Sequence, residues 1–198
     1  MKVKTAETAG FCFGVKRAVD RVYDLIEQGV GPIYTLGPII HNEVVVNELA
    51  EKGVHAIEEK DLDGLDRGVV VLRSHGVGKE VYDRLDRQHL EYVDVTCPFV
   101  LKIHRIVKEE SEKGNYVIII GDRNHPEVQG ICGWCQGPYS VINNYEEAER
   151  FVLPEGKKAV IVSQTTFNYN KFQELVEILT EKRYDNTVLN IFNILNTI

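Results

Sequence analysis

Two stretches of eight residues, GPIIHNEV at 37–44 and GDRNHPEV at 121–128, share the pattern G-x-x-x-H-x-E-V. In each, the glycine closes a short apolar run, IYTLG or YVIIIG, and a helical pattern opens just after the histidine. A strand, a turn and a helix are therefore written twice. Moving outward, the runs VVVLRSH and AVIVSQT again pair up: each ends an apolar strand in polar residues, Ser74 and His75 in one, Gln164 and Thr165 in the other. Short apolar runs alternating with helical patterns imply βα units and a parallel sheet. The expectation is an α/β protein of two similar small domains, each a parallel-type sheet flanked by helices. Their boundary falls near VTCPF, where Pro98 can open a helix, giving domains at 1–97 and 98–198. In open α/β sheets the ligand sits off the carboxyl ends of the strands, the ends that carry these polar groups.

The intervening helices are legible from periodicity. Val15, Ala18, Val19, Val22, Leu25 and Ile26 follow the i, i+3, i+4, i+7 rule and Gly29 closes the run, so an amphipathic helix starts directly after Cys12. Further helices are expected near 43–52, 79–88, after His125, near 145–151 and near 170–183, with strands at HAI, YVDVT, YSVIN and NTVLNI. The acidic stretch EEKDLDGLDRG at 58–68 reads as a solvated surface loop.

Composition narrows the function. The chain has 198 residues, 43% hydrophobic and 27% charged, an ordinary globular balance. Its 23 basic against 30 acidic residues give a net charge of −7, which argues against a general nucleic-acid surface. No apolar run approaches the roughly 18–20 residues of a membrane helix, and the N-terminus lacks a signal-peptide pattern. A cytoplasmic protein is expected, and its four cysteines then read as thiols or metal ligands rather than disulfides.

Cys12 stands at a helix mouth, where outward N–H groups favour an anion, and thiolate is the form of sulfur that binds metal. Its position alone is equally that of a small buried hydrophobe. Cys97 shifts the balance, since it too follows a strand and precedes a helix. Cys132 and Cys135 have the C-x-x-C spacing of redox motifs and zinc knuckles, yet glycines at 130, 133 and 137 interrupt the region and favour a structural or incidental pair. The competitor is one site built from all four cysteines, at 12, 97, 132 and 135, since four thiolates suit zinc or an iron–sulfur cluster; with zinc it would be a binding module that takes anions without turnover. An inactive remnant is a third reading. His41, His75 and His125 lie in loops at strand ends, unlike core histidines, and suit a metal or an anion; His55, His89 and His104 read as structural or surface residues. Glu127 at a helix start can satisfy the macrodipole or donate a proton. Ser74, Thr165 and Thr166 can cap helices.

The stretches AGFCFGVKRAV, GPIIHNEVV, RSHGV, VDVTCP, NHPEV and VSQTTFN, in this order along nearly the whole chain, resemble the LytB family, reductases of (E)-4-hydroxy-3-methylbut-2-enyl diphosphate in the non-mevalonate isoprenoid pathway. The resemblance implies an iron–sulfur oxidoreductase with a 4Fe–4S cluster, or 3Fe–4S when degraded, on three cysteines, two of them Cys12 and Cys97. It implies that His41, His75 and His125 hold the diphosphate, that Glu127 delivers a proton, and that Thr165, with Thr166 beside it, acts near the substrate alcohol. The products would be isopentenyl and dimethylallyl diphosphate, with reduced ferredoxin or flavodoxin as electron donor. In the family a third domain follows, opened by a cysteine in N-T-I-C. Here the sequence runs VLNIFNILNTI, so Ile198 falls one residue short of that thiol or Asn193 takes its place. The expectation is a truncated or frame-shifted copy, or a fragment of a longer product, with the third domain absent.

Overall fold

A computed structural model describes residue 4, residues 10–181 and residues 189–191. The expectations for Arg183, Asn193 and Ile198 lie outside the described residues. The chain divides into two compact units. The first comprises the described residues up to Ser74 together with Arg87–Cys97, and the second His75–Asp86 with the described residues from Pro98 onward.

In the first unit the helix α1 (Phe13–Glu27) leads into β1 (Ile33–Leu36), α2 (Glu43–Glu51), β2 (Val54–Ile57), β3 (Val69–Leu72) and β4 (Glu91–Asp94). The four strands form one parallel sheet in the order β2-β1-β3-β4. Apolar positions Ala18, Val19, Val22 and Leu25 of α1 pack with Ile33, Val69 and Val71 of the sheet and Leu49 of α2, the stripe the periodicity predicts. Gly29, at φ +67° just beyond α1, takes the left-handed conformation that ends helices. One expectation changes: Glu59–Gly64 form a 3-10 helix rather than a loop. A reciprocal cap between Glu58 and Asp61 starts it, and the fully buried Leu62 anchors it.

The helix α3 (Lys79–Gln88) precedes β4. The second unit then runs through α4 (Pro98–Glu112), β5 (Tyr116–Ile120), α5 (Pro126–Cys132), β6 (Tyr139–Ile142), α6 (Tyr145–Arg150), β7 (Ala159–Ser163), α7 (Tyr169–Glu181) and β8 (Leu189–Ile191). Its parallel sheet, β6-β5-β7-β8, repeats the order of the first. Alternate residues of β5 and β7 point to opposite faces. Ile118, Ile120 and Ile161 meet Phe172, Leu175 and Leu179 of α7, while Val117, Ile119, Val160 and Val162 meet Ile103 and Val107 of α4 and Val128 and Ile131 of α5. Covering on both faces is why YVIII and AVIVS are continuous apolar runs rather than alternating ones. Among the described residues no helix is long and apolar enough to cross a membrane.

Trp134, the only tryptophan in the sequence, packs against this second core and reports on it. Ile119→Ala removes a fully buried side chain and should cost about 2–5 kcal/mol. The urea transition followed by Trp134 fluorescence should move to lower denaturant accordingly.

Candidate active site

Each sheet reverses its strand order between its first and third strands, β1 and β3 or β5 and β7, and this is the crevice where open α/β sheets bind ligands. In the second unit the loops leaving β5 and β7 are joined there by Glu127 and Thr165. Glu127 is 2% exposed; its Oε1 accepts the Thr165 backbone N–H at 2.6 Å and its Oε2 accepts the Thr165 hydroxyl at 2.8 Å. Burial raises the carboxyl above its ordinary range, and the two Thr165 bonds oppose that rise. Capping is not the function of Thr165, because Asn168 accepts the Lys171 N–H ahead of α7.

His125 begins α5: its Nδ1 accepts the Glu127 N–H at 3.1 Å. That nitrogen is therefore the unprotonated one, and a neutral ring carries its proton on Nε2. The rings of His125 and His75 lie edge to face, 5.6 Å between centroids. Thr166 takes another direction, its Oγ1 accepting the Gln164 side-chain N–H at 2.9 Å. Gln164 has a structural role the sequence did not declare. It is buried, its Oε1 accepts the Asp122 N–H at 3.1 Å, and it ties together the same two loops. Gly121 is required beside it, since a Cβ there would lie 2.7 Å from Val128 and 3.0 Å from Gln164.

The first unit repeats the frame with different contents. Ser74 is buried and its hydroxyl donates to the Ile39 carbonyl at 3.4 Å, linking the loops after β3 and β1. His41 is exposed and lines a cavity of about 570 Å³ with Pro38, Asn42 and Glu43. Asn42, not His41, caps α2, accepting the Val45 N–H at 3.2 Å. Glu43, the counterpart of Glu127 in the repeated pattern, is exposed. Gly37, the counterpart of Gly121, is needed for a different reason, its positive φ of +72°.

Cys12 is the residue immediately before α1 and makes no side-chain capping bond. Cys97 follows β4 and its N–H donates to the Ser74 carbonyl at 2.9 Å. Cys97 lies against the first turn of α1, the helix that starts just after Cys12: a Cβ on Gly14 would lie 2.8 Å from the Cys97 sulfur. Glycine is thus placed where the helix must admit that sulfur, and Arg17, one turn on, donates to the Thr96 carbonyl beside it. Both thiols are partly exposed. Glycine in the first turn of an otherwise regular helix was the overlooked signal. Cys132 and Cys135 differ, packing against the α4–α5 core. Burial raises both thiols, Cys135 to about 12. His104, buried and stacked on Trp134 at 5.5 Å, is structural.

The profile of the LytB protein family matches residues 3–198, and the chain belongs to that family. A 4-hydroxy-3-methylbut-2-enyl diphosphate reductase from Thermoanaerobacter sp. (strain X514) is 50% identical over 187 residues, covering 93% of this chain and 64% of its own length. A reductase of the same name from Caldanaerobacter subterraneus subsp. tengcongensis is 46% identical over 96% of this chain and 67% of its own. The solved structure of an (E)-4-hydroxy-3-methyl-but-2-enyl diphosphate reductase, the terminal enzyme of the non-mevalonate pathway, superposes with a TM-score of 0.82 at 36% identity, over 96% of this chain and 66% of its own. That of the Plasmodium falciparum reductase gives 0.84 at 28% identity, over 92% and 57%. The chain spans about two thirds of the length of the relatives it matches.

The raised carboxyl of Glu127 fixes the sign of a pH effect. The folded state keeps this proton over a window in which the unfolded chain has released it. The stability it contributes is complete below the unfolded value and is lost as pH rises through the folded one. Urea midpoints of the second unit, compared from acid to neutral pH, should lose part of their downward slope in Glu127→Gln.

Proposed function

We propose that this chain carries substrate-holding and proton-delivering groups of a reductase that converts (E)-4-hydroxy-3-methylbut-2-enyl diphosphate to isopentenyl and dimethylallyl diphosphate. The observation that carries the reading is the buried Glu127 carboxyl, held by the N–H and hydroxyl of Thr165 at the strand-order reversal. An allylic hydroxyl leaves readily only as water, so its removal requires a proton donor at the oxygen. Burial shifts the Glu127 carboxyl toward its protonated form, the form that can supply one. When Glu127 holds its proton, the Thr165 hydroxyl accepts from it and can turn its own hydrogen outward, so the pair moves a proton to the substrate oxygen through Oγ1. Thr166 is proposed as a neighbouring contact.

Imidazole N–H groups suit a diphosphate, because each gives a directed donor to an anionic oxygen. His75 and His125 are assigned this role, His125 through Nε2–H because its Nδ1 is occupied. His41 is proposed as a further donor on the first unit. Cys12 and Cys97 are proposed as ligands of an iron–sulfur cluster, and the gap that Gly14 leaves for the Cys97 sulfur fits that use. When bound, such a cluster supplies the electrons of the reduction and an iron that polarises the alcohol. A 4Fe–4S centre, an electron donor of the ferredoxin or flavodoxin class and a cytoplasmic setting belong to the same proposal.

The metal assignment and the proton assignment are tested separately. After anaerobic reconstitution with iron and sulfide, Cys12→Ser and Cys97→Ser should bind markedly less iron than the parent, and the double variant Cys132→Ser/Cys135→Ser about as much. Equal iron in Cys12→Ser removes that residue from the ligand set. Gly14→Ala should also lower iron uptake while the far-ultraviolet circular dichroism stays native, since the new methyl group displaces the Cys97 sulfur. In the reconstituted protein Glu127→Gln should lower kcat by about 10²–10⁴-fold with substrate binding retained.

A further inference from the structure

Cys132 and Cys135 are absorbed by none of this, and we infer that they form a reversible disulfide site, closed by a low-molecular-weight disulfide of the glutathione class. The inference is independent of the reductase reading and rests on the shape of the turn that ends α5. The Cys135 N–H donates to the Cys132 carbonyl at 3.1 Å, one step after Trp134 does the same to Ile131 at 3.1 Å. Such i to i+3 bonds hold the first and fourth Cα atoms within about 7 Å. They also stack the two side chains on one face. Disulfides need Cα atoms about 4.4–6.8 Å apart, so the bridge closes without moving the main chain far.

The turn is also fixed before any bond forms. Trp134 donates its indole N–H to the Val77 carbonyl at 2.9 Å, and the Gln136 N–H donates to the Ser111 hydroxyl at 2.9 Å. Gly133 sits against Gly78 so closely that a Cβ on it would lie 2.6 Å from the Gly78 Cα. The indole is wedged between the rings of His104 and Tyr82, each 5.5 Å away. With the two residues already one turn apart on a fixed main chain, and the Cys135 thiol 3.7 Å from the Ile131 carbonyl, closure asks mainly for side-chain rotation and little backbone ordering. Both are only partly buried, within reach of a small reagent.

The order of events follows from their surroundings. Burial raises Cys132, but the Tyr139 hydroxyl and the Arg123 charge favour its thiolate, whereas Cys135 has no such help. Cys132 therefore attacks the oxidant first. It loses its proton, forms a mixed disulfide and releases one small thiol. Cys135 then gives up its proton, attacks the Cys132 sulfur and releases the second thiol. Two cysteine thiols are oxidised to one disulfide while one small disulfide is reduced to two thiols. The bridge fastens the end of α5 opposite to the one that carries His125 and Glu127.

The test is to treat the whole chain with oxidised glutathione, alkylate the remaining thiols and map the peptides by mass spectrometry. The expected result is a Cys132–Cys135 linked peptide, Cys12 and Cys97 still alkylated, and quenching of Trp134 fluorescence, all reversed by dithiothreitol. Cys135→Ser should stop at a glutathione adduct on Cys132, with no quenching by a closed bridge. The inference is overturned if the parent keeps Cys132 and Cys135 fully alkylatable, or accumulates the stable adduct without a bridge. Both outcomes are read on the parent chain and do not depend on a variant folding.

Discussion

The second unit is organised around one buried carboxyl. Glu127 is almost without solvent, and a polar group in that position destabilises the fold by roughly 1–3 kcal/mol if left unpaired. Its two partners both come from Thr165, at the end of a different strand. The bond therefore does more than satisfy an acid: it clamps the β5 and β7 loops where the sheet changes direction. Gln164 and Gly121 serve the same clamp, one by bridging to the Asp122 N–H and the other by leaving room for it. Strand ends that would otherwise splay are held at the point where the chemistry is proposed.

The two units show how one motif diverges without changing topology. Both place glycine, histidine and glutamate at the same steps after a strand, and both sheets have the same order. Yet Glu43 faces water while Glu127 is enclosed. Different residues start the helices, Asn42 in one and His125 in the other. The first unit instead brings sulfur to the corresponding end, with Cys97 lodged against the first turn of α1. Duplication thus supplies two scaffolds, and each has been given its own kind of reactive group.

Much of this was legible in the sequence, for identifiable reasons. Continuous apolar runs such as YVIII and VVVL, too short for helices and bounded by turn residues, read as strands covered on both faces, and α1 declares itself by its stripe. The residues at the strand ends were legible because topology, not packing, sets them there. What could not be read is which polar group faces which. Thr165 and Asn168 both lie ahead of a helix, and a hydroxyl at such a place normally caps it; only the fold shows that Asn168 does so and Thr165 turns to Glu127. The 3-10 helix at Glu59–Gly64 escaped because its single anchor, Leu62, has no period to detect. Gly14 escaped because the atom it makes room for belongs to Cys97, far along the chain.

His125 accepts a hydrogen bond at the start of α5 through the same ring that would greet an anion. One tautomer satisfies both demands, so the folded backbone chooses the ring's proton arrangement before any ligand arrives. Adding a second proton would replace the acceptor at Nδ1 with a donor aimed at another donor and loosen the first turn of α5. The ring therefore presents its Nε2 side in a direction fixed by the backbone. A lysine or arginine at this place would bring more charge and yet forfeit the helix start.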